Sequence, residues 1–503
     1  MDLFCVQSLI LFFFLLFYFY FYFYVYPLKM KAVSNVGFKV YPFFGSLPEF
    51  FKNRNRFVEW VTDILASNPT NTAVYHRPVN IRGIMTANPL NVQHMLKNNF
   101  DNYPKGELFT SHLEDFLGRG IFNVDGHLWK VQRKTASSEF STKSLRNFVM
   151  DIVNEETLSR LVPLLRKASG QKIVVDMQDI MERFAFDHVC KLAFNVDPGC
   201  LGGDNTAGAE FMKAFNDAAT LSAGRFLYFL PYLWKMKRAL NIGSEERLRS
   251  AISTVHDFAD KIIRSRMQEK EEKQNDEDLL SRFIANESNS PEFLRDIIIN
   301  FILAGRDTTS TTLSWFFWLL SNRPEVERKI LDELKLIRAS NGKKIDDTYS
   351  FNELREMQYL QAALSEALRL YPPVALDTKV CRKDDVMPDG TFVGKGWFVT
   401  YHAYAMGRME SIWGKDCLEF KPERWLENGV CRRESPFRFP AFHAGPRICL
   451  GKDMAYILMK SITASVIQRF QMEVVDKDKC PELVVSLTLR MKEGLPMRVK
   501  ERC

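Results

Sequence analysis

The 503-residue sequence contains no C-x-x-C pair, no G-x-G-x-x-G stretch and no internal repeat. The first absence argues against structural zinc, whose ligands come in closely spaced pairs. The second leaves the chain without a dinucleotide- or flavin-binding module of its own, so any redox chemistry must draw electrons from elsewhere. The third excludes solenoids and propellers. The nine cysteines (Cys5, Cys190, Cys200, Cys381, Cys417, Cys431, Cys449, Cys480 and Cys503) are odd in number and widely spaced. They do not form the disulfide framework of a small secreted protein. No block of basic residues stands alone, because Lys and Arg alternate with acids, as in residues 269–273, EKEEK. That pattern excludes the basic stripe of a nucleic-acid binder. The net charge of +7 suits contact with an anionic membrane surface or an acidic partner.

What is present is first a greasy N-terminus. Residues 3–26, LFCVQSLILFFFLLFYFYFYFYVY, carry no charge. As a helix they would extend roughly 36 Å, enough for a bilayer core, and we expect a transmembrane anchor. A cleaved signal peptide fits less well: Asp2 replaces the basic n-region, the apolar run is too long, and no small-x-small site follows. Lys29 and Lys31 follow the span, which places the body in the cytosol, and the tyrosines of its second half suit the interface. No retention tetrapeptide closes the chain. Residues 27–50, with Pro27, Pro42, Gly45 and Pro48, read as a hinge, and 51–503 as one catalytic domain.

That domain reads as mainly α with a small β portion. Ser290 and Pro291 open a helix expected to run about 32 residues to Asn322, where Arg323-Pro324 stops it. A second helix is expected over 351–370, ended by Pro372-Pro373. Turn signals such as Asp389-Gly390 then separate short strands. Midway along the long helix stands AGRDTT (304–309). Gly305 is worth about 1 kcal/mol less than Ala there, and Thr308 and Thr309 are also weak. Three poor helix formers at the centre of so long an element imply a use other than helix formation.

Residues 442–451 read FHAGPRICLG and satisfy F-x-x-G-x-R-x-C-x-G at every fixed position. Here the chain resembles the cytochrome P450 family, and this is the family's haem-ligand signature. The resemblance spans about residues 38–500 and implies the cytochrome P450 fold behind the N-terminal helix. It implies haem b, with Cys449 as axial ligand to iron. A thiolate ligand pushes electron density onto the iron and favours O–O cleavage. Gly445 and Gly451 would allow close backbone approach, Arg447 would pair with a haem propionate, and Phe442 would shield the sulfur. By position in AGRDTT, Ala304 and Gly305 would leave room for dioxygen, Thr308 would hold a proton-relay water, and Asp307 would help deliver protons. Glu366 and Arg369 (E-x-x-R) with Arg424 would form a buried charge cluster behind the haem. Trp425 stands where the family's P-E-R-F box has Phe. Trp129 and Arg133 would reach a propionate. Lys379 occupies the place of an Arg or His that binds the second propionate, and it reads equally as a surface lysine.

The segments DNYPKG (101–106), GIFNVDGHLWK (120–130), PDGTFVGKGW (388–397) and YHAYAMGRMESIWG (401–414) resemble the plant branch of fatty-acid terminal (omega) hydroxylases. That branch also holds hydroxylases of jasmonoyl–amino acid conjugates and of steroid side chains. The resemblance implies an NADPH- and O2-dependent monooxygenase in the endoplasmic reticulum membrane, fed by NADPH–cytochrome P450 reductase. Its substrate would be a hydrophobic lipid, with a fatty acid ranked first. Expected lining residues are Phe109, Phe116, Phe122, Phe301, Ala304, Val374, Ala375, Leu376, Leu487 and Leu489. Two other classes are weighed against this: a haem-thiolate hydroperoxide isomerase that needs no O2, disfavoured by the intact Thr308, and a haem-binding sensor without catalysis.

Overall fold

The computed structural model describes residues 12–18, 20, 37–42, 44–78, 81–140, 143–203, 206–228, 232–272, 279–284, 289–477 and 479–502. The expected anchor over 3–26 lies largely outside the described residues. Residues 12–18 are helical, and among the described residues no helix is long and apolar enough to cross a membrane.

In chain order the elements used below begin with β1 (Thr72–Arg77), β2 (Ile81–Thr86), α1 (Glu107–Leu117) and α2 (Gly126–Phe140). Next come β3 (Val174–Asp176), α3 (Met177–Phe194), α4 (Ala207–Gly224) and α5 (Ser244–Glu272). The long helix α6 joins Pro291–Ile302, a wide π turn at Leu303–Asp307, and Thr308–Ser321. Then follow α7 (Pro324–Ser340), α8 (Gln358–Leu370), β4 (Asp377–Val380), β5 (Phe398–Tyr401) and α9 (Lys452–Arg469). The chain closes with β6 (Phe470–Val474), β7 (Leu483–Val485), β8 (Leu489–Met491) and β9 (Pro496–Glu501). One sheet has the order β1-β2-β5-β4, with only β2 and β5 parallel. A second has the order β6-β9-β3, and β7 pairs with β8. The architecture is therefore mainly helical with small sheets at the sides.

The apolar interior divides at the middle of α6. Leu294 to Leu303 pack into a core with α1, α3, α4 and α5. Leu313 to Leu320 pack into another with α7, α8 and α9. Buried Phe and Leu side chains such as Phe316 and Leu313 each stabilise by about 1.5–3 kcal/mol, which fixes both halves of α6 independently. The turn between them carries the weak helix formers. Ser290 caps the helix as expected, its Oγ accepting from the Phe293 N–H at 3.3 Å.

Two sequence expectations change. The helix expected over 351–370 is broken at Met357 (ψ 81°) into Phe351–Glu356 and α8. Glu333 of α7 supplies the reason: its carboxylate accepts from the N–H groups of Tyr359 and Leu360 at 2.6 and 2.9 Å, capping a fresh start. The hinge expected over 27–50 ends early, because Gly37 bridges to Val74 and Phe38 is buried against Trp60 and Tyr75. Aromatic packing onto β1 outweighs the linker composition of that stretch.

Behind α8 lies a cluster built on one carboxylate. Glu366 is fully buried and accepts from Arg369 Nε and Nη2, both at 2.8 Å. Arg424 Nε and the Lys421 backbone N–H each reach it at 3.0 Å, and the Trp425 indole at 2.8 Å. Arg369 in turn donates to the carbonyls of Gly407, Cys417 and Glu419. The indole N–H is a bond that phenylalanine cannot make, which accounts for tryptophan at position 425. Glu366→Gln should destabilise the haem-loaded protein by about 3–5 kcal/mol, because two buried guanidinium groups lose their shared charge. Trp425→Phe should cost about 1.5 kcal/mol. Denaturant unfolding measures both, and an unchanged midpoint in Trp425→Phe would remove the indole from the cluster.

Candidate active site

The loop before α9 is shaped by its glycines and one strained histidine. Gly445 has φ +65°, and a β-carbon there would come within 1.9 Å of the Leu96 carbonyl oxygen. The close approach is thus to protein backbone. His443 sits at φ 60°, ψ −174°, a conformation costing about 1–3 kcal/mol outside glycine. It is held there by Asp377, 3.1 Å from its Nε2. The loop then delivers Cys449, whose N–H donates to the Phe442 carbonyl at 2.8 Å. Phe442 packs on Tyr456, and Gly451 begins α9.

Cys449 is exposed, yet desolvation pushes its thiol pKa upward. The residue thus lies outside the packed core, while the protein atoms around its thiol account for the upward shift. The Gly451 backbone N–H and the charges of Arg133 and Lys452 pull the other way, toward thiolate.

Beside the loop, side chains from four segments converge. Asp377 on β4 accepts from Lys105 Nζ at 3.1 Å and from Lys379 Nζ at 2.6 Å. Arg447 Nη2 donates to Asp125 at 2.6 Å and to the Val124 carbonyl at 3.0 Å, and its guanidinium lies 4.5 Å from the Trp129 ring centre. Arg133 Nη2 donates to the Ile448 carbonyl at 2.5 Å. Lys379 is fully buried, so the surface reading of this residue does not hold. Burial pushes its pKa down to about 7, against the pull of Asp377. Burial alone would raise the Asp377 carboxyl, but Lys105, Lys379 and His443 hold it well below its ordinary value. Both shifts express one condition, a surplus of positive charge. Four cations (Lys105, Arg133, Lys379, Arg447) face two carboxylates (Asp125, Asp377), leaving two positive charges in a largely buried place. Buried charge of this kind calls for an anion.

On α6, Phe301, Ala304, Gly305 and Thr308 keep partial exposure while residues 302, 303, 306, 307, 309 and 310 are buried. Spacings of three, four and seven put the accessible residues on one face. Thr308 Oγ1 donates to the Ala304 carbonyl at 2.6 Å. Gly305 lies at the edge of this face, and a β-carbon on it would meet Val189 of α3 at 2.6 Å. Its smallness therefore serves helix packing. Asp307 is turned into the interior, where Arg306 Nη1 donates to it at 2.8 Å, so it does not share the face of Thr308. Burial raises its carboxyl pKa.

Among the expected lining residues, Phe122 and Val374 are exposed, and Phe109, Phe301, Ala375, Leu376 and Leu487 are partly so. Phe116 and Leu489 belong instead to the core, Phe116 against Phe215 and the Leu489 carbonyl on the Trp315 indole. Sequence reasoning missed Lys105, Asp125, Asp377 and His443. Three of them lie inside segments already singled out, DNYPKG, GIFNVDGHLWK and FHAGPRICLG.

The cytochrome P450 family model matches residues 37–495. The chain belongs to the cytochrome P450 family. It is 53% identical over 460 residues to cytochrome P450 CYP94D108 of Paris polyphylla, covering 91% of each chain. It is 47% identical to cytochrome P450 94B1 of Arabidopsis thaliana, covering 94% of this chain and 93% of that one. Against cytochrome P450 94A1 of Vicia sativa the identity is 46%, over 92% and 90%. The protein is thus a haem monooxygenase that takes electrons from a redox partner. Haem b fits the residues present. Its two propionates match the two surplus positive charges, and its iron needs a cysteine outside the packed core, as Cys449 is.

Lys379→Met should halve the charge surplus and weaken haem retention about tenfold. Haem transfer to apomyoglobin measures this, and an unchanged rate would leave Lys379 as a partner of Asp377 alone.

Proposed function

We propose that this cytochrome P450 hydroxylates the terminal carbon of an amphipathic lipid, with a fatty acid as first choice. The single observation that supports this best is the separation of the site into two parts. Charged groups gather at the edge formed by Lys105, Lys379, Arg133 and Arg447. Apart from Thr308, the accessible side chains among the expected lining are hydrocarbon, as at Phe122, Phe301, Val374 and Leu487. Such a lining binds by burial and excludes water. Terminal attack is harder than attack one carbon inward, so the lining must present only the methyl end. The branch motifs in the sequence, and relatives of the 94 group at 44–53% identity, support that regiochemistry.

Overall, substrate, O2, NADPH and a proton yield alcohol, NADP+ and water. Bound haem supplies oxygen activation and C–H cleavage. The chain's own residues do the rest. Cys449 would hold the iron, and Phe442 would cover the sulfur. Lys105, Arg133, Lys379 and Arg447 would hold the propionates, with Trp129 beneath Arg447. Thr308 would hold a proton at Oγ1, with Ala304 giving its carbonyl as the resting acceptor. Glu366, Arg369 and Arg424 lock the layer behind. Electrons would come from NADPH–cytochrome P450 reductase, docking on a face that includes Lys452 and the exposed Arg432 and Arg433. The uncharged run over 3–26 supports a single-pass anchor in the endoplasmic reticulum membrane with the catalytic domain facing the cytosol.

Incubation with reductase, NADPH and a panel of C12–C18 fatty acids, a jasmonoyl–amino acid conjugate and a sterol tests the substrate. Terminal alcohol from fatty acids is expected. Product from the sterol or the conjugate alone would replace the first choice, and turnover without NADPH would favour an isomerase. Cys449→Ala should abolish the red-shifted absorbance of the reduced CO complex, and its survival would refute the ligand assignment. Thr308→Ala should retain haem but divert NADPH electrons to hydrogen peroxide by at least severalfold. Undiminished coupling would remove Thr308 from proton delivery.

A further inference from the structure

The buried side of α6 carries an ionic network that the reaction as described does not use. Arg306 is fully buried and bridges two carboxylates. Its Nη1 donates to Asp307 at 2.8 Å. Its Nη2 donates to Glu182 of α3 at 3.0 Å and to Asn216 Oδ1 of α4 at 2.7 Å. The other oxygen of Glu182 accepts from Arg490 of β8, Nε at 2.9 Å and Nη2 at 2.6 Å. Asn216 Nδ2 donates back to Glu182 at 3.1 Å. Two guanidinium groups and two carboxylates thus alternate from Asp307 outward to Arg490, whose side chain is 23% exposed. The Phe215 ring lies beneath Arg306, 5.4 Å from its guanidinium carbon. Loss of either carboxylate would leave the buried Arg306 with a single anionic partner.

Asp307 directly precedes Thr308, yet it is buried while Thr308 lies on the accessible face. A carboxyl that delivers protons beside Thr308 must first leave Arg306. We propose that Glu182 is a positioning residue for proton delivery: it competes with Asp307 for Arg306, and so frees the Asp307 carboxyl to turn toward Thr308. The charged groups that face Asp307 are Arg306 on its own helix, Glu182 from α3 and Arg490 from β8. Their signs set the balance. Burial favours the neutral carboxyl, the Glu182 charge reinforces that, and Arg306 and Arg490 oppose it. With Glu182 neutral, Arg306 would have Asp307 as its one anionic partner and would hold it ionised. With Arg490 neutral, Glu182 would draw Arg306 away and Asp307 would protonate more readily. In each cycle Asp307 gives up a proton on the Thr308 side and regains one from water, so no charge accumulates.

This inference rests on the reading of Asp307 and Thr308 given above. Its test uses the haem-loaded, full-length protein and does not depend on the substrate. The infrared carboxyl band of Asp307, assigned by its loss in Asp307→Asn, is followed against pH. Glu182→Gln should move the protonation midpoint down by ~1 pH unit, and Arg490→Gln should move it up. A merely structural network would change stability and, through its field alone, the midpoints, but would leave the peroxide fraction unchanged. Glu182→Gln should also raise the fraction of NADPH electrons recovered as hydrogen peroxide severalfold, with reductase and a C16 fatty acid present. Because Arg490 is partly exposed, Arg490→Gln keeps the test alive if the buried variant folds poorly. Midpoints that stay put, or move together, overturn the proposal. So does a shifted midpoint with unchanged peroxide yield, provided Thr308→Ala raises that yield. If Thr308→Ala leaves it unchanged as well, the fault lies with the reading of α6 on which the proposal stands.

Discussion

Asp377 is the interaction on which the site depends. It sits on an internal-facing position of β4 and joins Lys105, Lys379 and His443, three residues far apart in the chain. Through His443 it holds a strained backbone just ahead of Cys449, and through the lysines it builds one edge of the charged cluster. The strain is tolerable because a paired, buried carboxylate and a histidine that also bonds to Ala444 over-determine the loop. A single anion thus braces the loop that carries Cys449 and places two of the four cations.

Helix α6 works as a partition rather than as a simple scaffold. Its two halves are buried in different cores, so the turn between them can be wide and poor in helix formers without unfolding the element. One face of that turn is accessible and carries Ala304 and Thr308. The other carries Arg306 and Asp307 into an ionic network with α3 and β8. The same backbone thus presents small, partly accessible residues on one side and full charges on the other. The separation matters because a charged group on the accessible face would carry water with it.

The parts legible in the sequence were those encoded by adjacent residues. The haem-ligand loop, the helix cap at Ser290, the weak centre of α6 and the E-x-x-R pair each lie within a short window. The signal for Trp425 was visible as a departure, but its cause, an indole bond to Glu366 across 59 positions, needed the fold. Lys105, Asp377 and His443 were invisible as a group because their partnership has no fixed spacing. Glu182 and Arg490, 308 positions apart, were invisible for the same reason. The break at Met357 came from a carboxylate on α7 that caps a helix it does not belong to. Glycine can serve space or contact, and composition does not say which; the contact of Gly305 with Val189 needed the fold.

The charged cluster also has a thermodynamic consequence. Gathering Lys105, Arg133, Lys379 and Arg447 costs free energy that Asp125 and Asp377 offset for only half the charge. Burial lowers the Lys379 pKa to about 7, and the charges of Lys105 and Arg447 add to that against the pull of Asp377. A ligand with two carboxylates removes the penalty only in the folded chain, because the unfolded chain does not bring the cations together. Binding to the folded state alone is linked to stability. Capture of such a dianionic ligand and formation of the edge built on β4 would therefore be one equilibrium.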